Sequence, residues 1–351
     1  MKTDQTARFN LFLKKALIIL PIGLLGNFIY LYLNQEGHPW IHLQNSSCPF
    51  ILLALLCSIL PWFTHAIRMF LWAGFLGEKV NFKNMLEVAV GSELGAALSP
   101  TASGGGPVKA ILLKKNGMSS GTSISLTLLG SIEDSVVFTL TIPLALLMIT
   151  AESTSFLPVS DIRLNLSSIL YSLAGICAMI VFLILLFRIN PRWKLYIKKN
   201  LQNWKFIKWL RTVFKEVRQV FITIIRKGKK LFLLTVLLTL IHWIFRFSVI
   251  MAFFTAIDVP YSFVQLFFLQ WLVFISTLIV PTPGATGGAE ALFYFLFKFA
   301  VPGDIIVTIL PSWRMLTYFI PAGAGILVFL TLNSSINALS FLRIKTRTSE
   351  R

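Results

Sequence analysis

The sequence predicts an all-α polytopic membrane helical bundle, and three observations predict it. The 351-residue chain is 56% hydrophobic and only 13% charged, with a mean hydropathy of +0.77, too apolar for a water-soluble domain of this size. Several apolar runs approach the roughly 20 residues that a helix needs to cross about 30 Å of hydrocarbon. The basic residues behind the formal charge of +18 collect largely between those runs, as the positive-inside rule requires.

About six full spans follow from run length, at 16–33, 50–72, 122–150, 167–186, 231–257 and 307–332, within a single transmembrane domain of residues 1–351. The first run is longer than the ~7–15-residue core of a signal peptide and no small-residue cleavage pattern follows, so it reads as a retained span. Segments 84–98 and 108–113 are too short to cross alone, and so is 289–299, which leaves the second break after 263–280 leads into it. Each pair flanks a break: Ser99-Pro100-Thr101-Ala102-Ser103-Gly104-Gly105-Gly106-Pro107 in the first half, and Pro281-Thr282-Pro283-Gly284-Ala285-Thr286-Gly287-Gly288-Ala289-Glu290 in the second. Non-helical backbone leaves N–H and C=O groups unpaired, which persists at membrane depth only where protein or a water-filled cavity satisfies them. Two re-entrant half-helix pairs are therefore expected, and paired breaks of this kind point to a transport site.

The basic residues orient the chain. Lys2, Arg8, Lys14 and Lys15 place the N-terminus in the cytoplasm, and 34–47, without Lys or Arg, falls outside. Lys79, Lys83, Lys114 and Lys115 lie inside, 151–166 outside, 188–230 inside, Asp258 outside, and Arg343, Lys345 and Arg347 inside. Both termini are then cytoplasmic in a bacterial-type inner membrane, and one re-entrant pair opens from each side, as an inverted repeat would arrange them. The loop 188–230 has Glu216 as its single acid. Its stretch 193–215 interleaves aromatic and aliphatic residues with lysines, either as an interfacial helix on anionic headgroups or as a solvated basic linker. This charge pattern fits lipid headgroups rather than nucleic acid. Cys48, Cys57 and Cys177 are scattered and imply neither a disulfide nor a metal framework. No nucleotide loop, zinc spacing or hydrolase motif is present, so no catalytic residue and no cofactor is expected.

Ionisable groups inside apolar runs cost about 2.5–3.5 kcal/mol each on insertion scales, so those that remain face a cavity or a partner. They are His65, Arg68, Glu93, Lys109, Glu133, Asp134, His242, Arg246, Glu290 and Arg314. Gly91 and Gly95 allow close packing around Glu93. Gly104, Gly105 and Gly106 can expose their amides ahead of Pro107 and Lys109, which makes either a phosphate seat or a plain turn with Lys109 snorkelling to the surface. Glu133 and Asp134, adjacent on a helix, point about 100° apart; one is expected to pair with Arg68 and the other to line the cavity. Pro281 and Pro283 stop the incoming helix, while Gly284, Gly287 and Gly288 supply unusual backbone angles. Glu290 then either meets the ligand or only stabilises a helix N-terminus. Arg314 with Tyr318, and His242 with Arg246, share a helix face at i, i+4, the alternative being ion pairs to acids of neighbouring helices.

The first break, with Leu98 before it and Leu112, Lys115, Gly117 and Glu133-Asp134 after it, resembles one block of the lysylphosphatidylglycerol synthase transmembrane family. The second break, with Phe293, Phe297 and Arg314-Met315-Leu316-Thr317-Tyr318-Phe319-Ile320-Pro321, resembles the other. The resemblance implies the flippase-like domain of multiple peptide resistance proteins, which move aminoacylated phosphatidylglycerol between leaflets. Those proteins add a cytosolic aminoacyltransferase, and no such domain is expected here. The implied activity is a phospholipid flippase or scramblase, with Arg68, Lys109 and Arg314 on the headgroup phosphate. Glu93, Glu133, Asp134 and Glu290 would meet an amine or balance charge, and the two re-entrant elements would gate opposite ends of a groove. Gly106 stands where the family often has a polar residue, which leaves the headgroup open. Two alternatives stand beside it: a membrane subunit or remnant of a lipid-modifying aminoacyl or glycosyl transferase with a separate transferase partner, and a small-solute transporter using Glu133 or Asp134 as its ion site. Homo-oligomerisation is left open.

Overall fold

The computed structural model describes residues 46–151, 205–298 and 303–332, with Val301 and a few positions ahead of residue 46. The predicted fourth span, 167–186, the loop 152–204, most of the first span and the C-terminal tail lie outside the described residues. Within them the chain forms ten α-helices: α1 Cys48–Phe75, α2 Phe82–Ala97, α3 Gly105–Lys115, α4 Ser120–Ala151, α5 Lys205–Lys227, α6 Lys229–Ala256, α7 Phe263–Thr277, α8 Gly288–Phe297, α9 Gly303–Arg314 and α10 Ile320–Leu332. Among the described residues there is no strand. Four helical stretches are long and apolar enough to cross a membrane, Cys48–Phe75, Ser120–Ala145, Lys229–Ala256 and Ile305–Leu332, and they coincide with the second, third, fifth and sixth predicted spans.

The last of these is interrupted by a π-helical turn at Met315–Phe319, joining α9 to α10. Such a turn shifts side-chain direction along the helix and is a recurrent feature of functional sites. Pro61 sits inside α1, where a proline ring removes one backbone bond. Its own carbonyl accepts from Thr64 Oγ1 at 3.0 Å and lies 3.1 Å from His242 Nδ1 of α6. This local irregularity helps tie α1 to α6, the pair at the centre of the bundle.

Two cores flank that pair. One joins α6, α7, α8 and α9 around Phe253, Phe254, Phe293 and Phe297; the other joins α1, α2, α3 and α10 around Trp72, Met85, Leu113 and Phe329. Each core holds one hairpin of short helices, α2–α3 or α7–α8. The first hairpin closes tightly because glycines face each other: a Cβ on Gly104 would stand 2.5 Å from the Gly95 carbonyl oxygen, and one on Gly95 would stand 3.0 Å from the Gly104 carbonyl oxygen. In the core around α6–α9, Phe293 stacks on Phe297 and on Trp313, with centroids 4.0 and 4.4 Å apart, fixing α8 against α9.

The basic connector carries a helix that extends beyond residue 215. Of the helix expected at 193–215, residues 193–204 lie outside the described set; the described part runs over Lys205–Lys227, past the expected end, because its apolar period continues to Ile224 and Ile225 before Gly228 intervenes. Phe214 and Ile225 are exposed while Val213 and Ile224 are buried, so one apolar face of α5 packs and another is left open. Glu216 docks the helix: its Oε2 accepts from Gly121 N and from Ser119 Oγ, both at 2.8 Å. The single acid of the loop thus sits at the N-terminus of α4, where the helix dipole favours a carboxylate.

Candidate functional site

The two breaks meet. Pro100 and Pro283 form an antiparallel bridge, and Thr101 N donates to the Val280 carbonyl at 3.3 Å. The hairpin tips are in direct contact with each other. The reason is backbone accounting: chain that has left the helix needs partners, and each tip supplies them to the other.

The unusual backbone angles fall partly where the sequence placed them. Gly284 and Gly287 have φ of +63° and +83°, but Thr101, Ala102 and Ala285 also sit near +54°. By contrast Gly104 has φ −73°, and α3 begins at Gly105 rather than at Pro107. Gly104, Gly105 and Gly106 therefore serve helix start and close packing, while the left-handed turn is made by Thr101 and Ala102. Ser99 Oγ accepts from Gly104 N at 2.7 Å and satisfies one of the freed amides.

A cavity of ≈ 180 Å³ opens at this junction. Since one water needs about 10–15 Å³ on this measure, there is space for on the order of ten waters, or for a small polar headgroup. Its wall draws on α1, α2, α6, α7 and the π-interrupted span, with Ala102 from the first break and Gly284 and Ala285 from the second. Five residues nominated from sequence line it: Glu93, Arg246, Gly284, Arg314 and Tyr318. Gln270 and Trp313 line it too.

Two ion pairs border the cavity. Arg246 Nη1 donates to Glu93 Oε2 at 3.2 Å, with both side chains about one-third exposed (36% and 29%). Arg314 Nε donates to Glu290 Oε1 at 2.6 Å, and its Nη2 to the Gly284 carbonyl at 3.0 Å. The guanidinium also lies 4.9 Å from the Tyr318 ring centroid, a cation–π distance. Tyr318 Oη donates to the Ala97 carbonyl at 2.9 Å, so it joins the end of α2 to the π turn. Glu290 does two things at once: its second oxygen accepts from Gly287 N at 2.8 Å, which caps α8. Gly288 starts that helix and Pro283 belongs to the bridge.

A second polar cluster lies away from the cavity wall. Arg68, 4% exposed, donates to Glu133 Oε2 at 2.6 and 2.9 Å and to the Gly130 carbonyl at 3.2 Å, and reaches Asp134 Oδ1 at 3.4 Å. Both acids therefore engage Arg68, although they leave the helix in different directions, because a guanidinium spans several donors in one plane. Trp72 Nε1 donates to Glu133 at 2.8 Å and Trp243 Nε1 to Asp134 at 3.1 Å. Lys109 does not snorkel outward; it is buried with Nζ 3.0 Å from His65 Nε2. Trp243 links the two clusters, since the Arg246 guanidinium lies 5.8 Å from its ring. Among the described residues no group of three His, Cys, Asp or Glu side chains could hold a metal ion.

Comparison with known proteins agrees with this architecture. The family described as lysylphosphatidylglycerol synthase TM region matches residues 17–325. A UPF0104 membrane protein of Archaeoglobus fulgidus is 26% identical over 291 residues, covering 80% of this chain and 85% of the relative.

Proposed function

The chain belongs to the lysylphosphatidylglycerol synthase TM-region family, a family of multi-pass membrane proteins, and on that premise we propose that it translocates phospholipid between leaflets as a flippase or scramblase. One observation carries the proposal. Two broken hairpins meet tip to tip and open onto a cavity bordered by Arg246–Glu93 and Arg314–Glu290. A headgroup crossing hydrocarbon needs charged partners that replace its water, and the acyl chains need an apolar flank; the cavity offers the first beside Phe247, Val273 and Phe274.

Within this proposal Arg246 and Arg314 hold the phosphate, and Glu93 and Glu290 keep them neutral when the cavity holds no lipid. Arg68 is committed to Glu133 and Asp134, and with Lys109 it anchors α1, α3 and α4 beneath the site. The protein resides in the cell membrane with both termini cytoplasmic, and α5 lies on anionic headgroups through its open apolar face and basic rim.

The test uses the full chain in liposomes carrying labelled phosphatidylglycerol, lysyl-phosphatidylglycerol, phosphatidylcholine or phosphatidylethanolamine in one leaflet. Transbilayer movement of at least one headgroup above protein-free vesicles is expected. Rates equal to protein-free vesicles for all four refute translocation.

A further inference from the structure

Lys109 is a buried cation without a carboxylate partner. It is 6% exposed, and among the described residues its ammonium joins no ion pair. Its Nζ lies 3.0 Å from His65 Nε2 of α1. It fills a notch left by Gly130 of α4, where a Cβ would stand 2.9 Å from Nζ and 3.6 Å from Arg68 Nη2. Two cations therefore share one glycine. Arg68 is committed to Glu133 and Asp134 and a guanidinium keeps its proton in proteins, so Lys109 is the one of the two that can give a proton up.

A lysine–histidine pair suits that exchange. With the ammonium charged, Nζ donates to Nε2, and neutral His65 carries its own proton on Nδ1. When the pair loses a proton, an Nζ–H bond breaks, the Nε2–H bond forms, the Nδ1–H bond breaks and that last proton passes to water. The hydrogen bond survives with its direction reversed, from Nε2–H to the lone pair on Nζ. Uptake runs the same steps backwards.

The pair is joined to the cavity through α6. The His65 ring meets His242 edge-on, with centroids 6.2 Å apart. His242 Nδ1 lies 3.1 Å from the carbonyl of Pro61, which lines the cavity, and Arg246 follows one helical turn later. The titratable groups that act on Lys109 and His65 are Arg68 from α1, Glu93 from α2, Glu133 and Asp134 from α4, and His242 and Arg246 from α6. Glu93 and Arg246 are the cavity-lining members, and a single 3.2 Å contact between half-buried side chains joins them. An anionic headgroup that takes Arg246 brings in negative charge and leaves the Glu93 carboxylate uncompensated. Negative charge so placed attracts a proton to a neighbouring site.

We propose that Lys109 and His65 form a proton site linked to the cavity, which takes up a proton as an anionic headgroup enters and returns it as the headgroup leaves, so that lipid and proton cross together. The inference rests on the translocase reading and adds a driving force to it.

Binding and transport are measured separately on the full chain. Short-chain phosphatidylglycerol is titrated by calorimetry at about pH 8, between the ordinary ranges of histidine and lysine, in buffers of different ionisation enthalpy. Proton uptake on binding is expected, up to about one proton per lipid, because linkage between two sites is reciprocal; binding without uptake overturns the inference. Lys109→Arg, which stays charged, and Lys109→Gln, which keeps a donor to His65 without a charge, are expected to lose most of the uptake. Wild-type uptake in either folded variant overturns the inference, because the proton then sits elsewhere. In liposomes with labelled phosphatidylglycerol, a gradient of about one pH unit is expected to enrich the lipid about tenfold in the leaflet on the alkaline side relative to protein-free vesicles, the ratio for one proton per lipid. Lipid movement that ignores the gradient keeps the translocase and overturns the coupling. No movement of any lipid refutes the translocase, and the calorimetric uptake then decides the proton site by itself.

Discussion

Arg314 and Glu290 join the last span to the tip of the second hairpin through a 2.6 Å ion pair that lies beside the cavity. The pair does more than balance charge. The same arginine holds the Gly284 carbonyl, and the same glutamate caps α8, so the break, the half-helix after it and the π-interrupted span move as one unit. Arg314→Lys keeps the charge but loses the planar fork and the stacking on Tyr318. Translocation in liposomes is expected to fall about tenfold, the equivalent of ~1.4 kcal/mol, with the folded fraction by size-exclusion chromatography unchanged.

Gly284 cannot be replaced. Its φ of +63° disfavours side chains, and a Cβ there would run into the Tyr318 ring and hydroxyl. Gly284→Ala is expected to lower stability by about 1–3 kcal/mol, in the range of local backbone strain, and to abolish translocation. Tyr318→Phe removes only the bond to the Ala97 carbonyl and should cost ~1 kcal/mol. Thermal melts of the purified variants compare the two.

The Arg68–Glu133 pair is an expected weak point of folding rather than of transport. Removing one member of a buried ion pair strands the other, at a cost of about 3–5 kcal/mol. Glu133→Leu should therefore yield little folded protein, and Arg68→Met with Glu133→Leu should recover much of it. Recovery is read by melting temperature in detergent; a loss in the double variant equal to the sum of the losses in Arg68→Met and Glu133→Leu alone would place Arg68 and Glu133 in independent roles.

Glu216 fastens the amphipathic helix α5 to the start of α4. Loss of a capping carboxylate costs about 1 kcal/mol, so Glu216→Ala should leave the bundle folded while α5 becomes accessible to limited proteolysis. Gly121→Ala should do the same, because a Cβ at Gly121 would collide with Glu216.

Much of the bundle could be read from the sequence, because span length and Pro/Gly breaks are local signals. The four described spans, both hairpins and the face shared by Arg314 and Tyr318 are of this kind. Partners between distant helices are not local, so Arg246 with Glu93 and Glu216 with Gly121 needed the fold. Thr101 and Ala102 carry positive φ without any glycine to announce it, so the position of the first turn is not legible in the sequence. Gln270 and Trp313 read as ordinary residues of apolar helices; only the fold brings them to the cavity wall.

The meeting of the two breaks can be tested most directly by cross-linking. Residues opposite each other in an antiparallel bridge have Cα atoms about 4.5–5.5 Å apart, within disulfide reach. Pro100→Cys with Pro283→Cys, in a background with Cys48, Cys57 and Cys177 replaced, is expected to form an intramolecular disulfide under mild oxidation in intact membranes. Folded, membrane-inserted protein that forms no such bond would show that the tips stand apart, and the shared cavity would go with them.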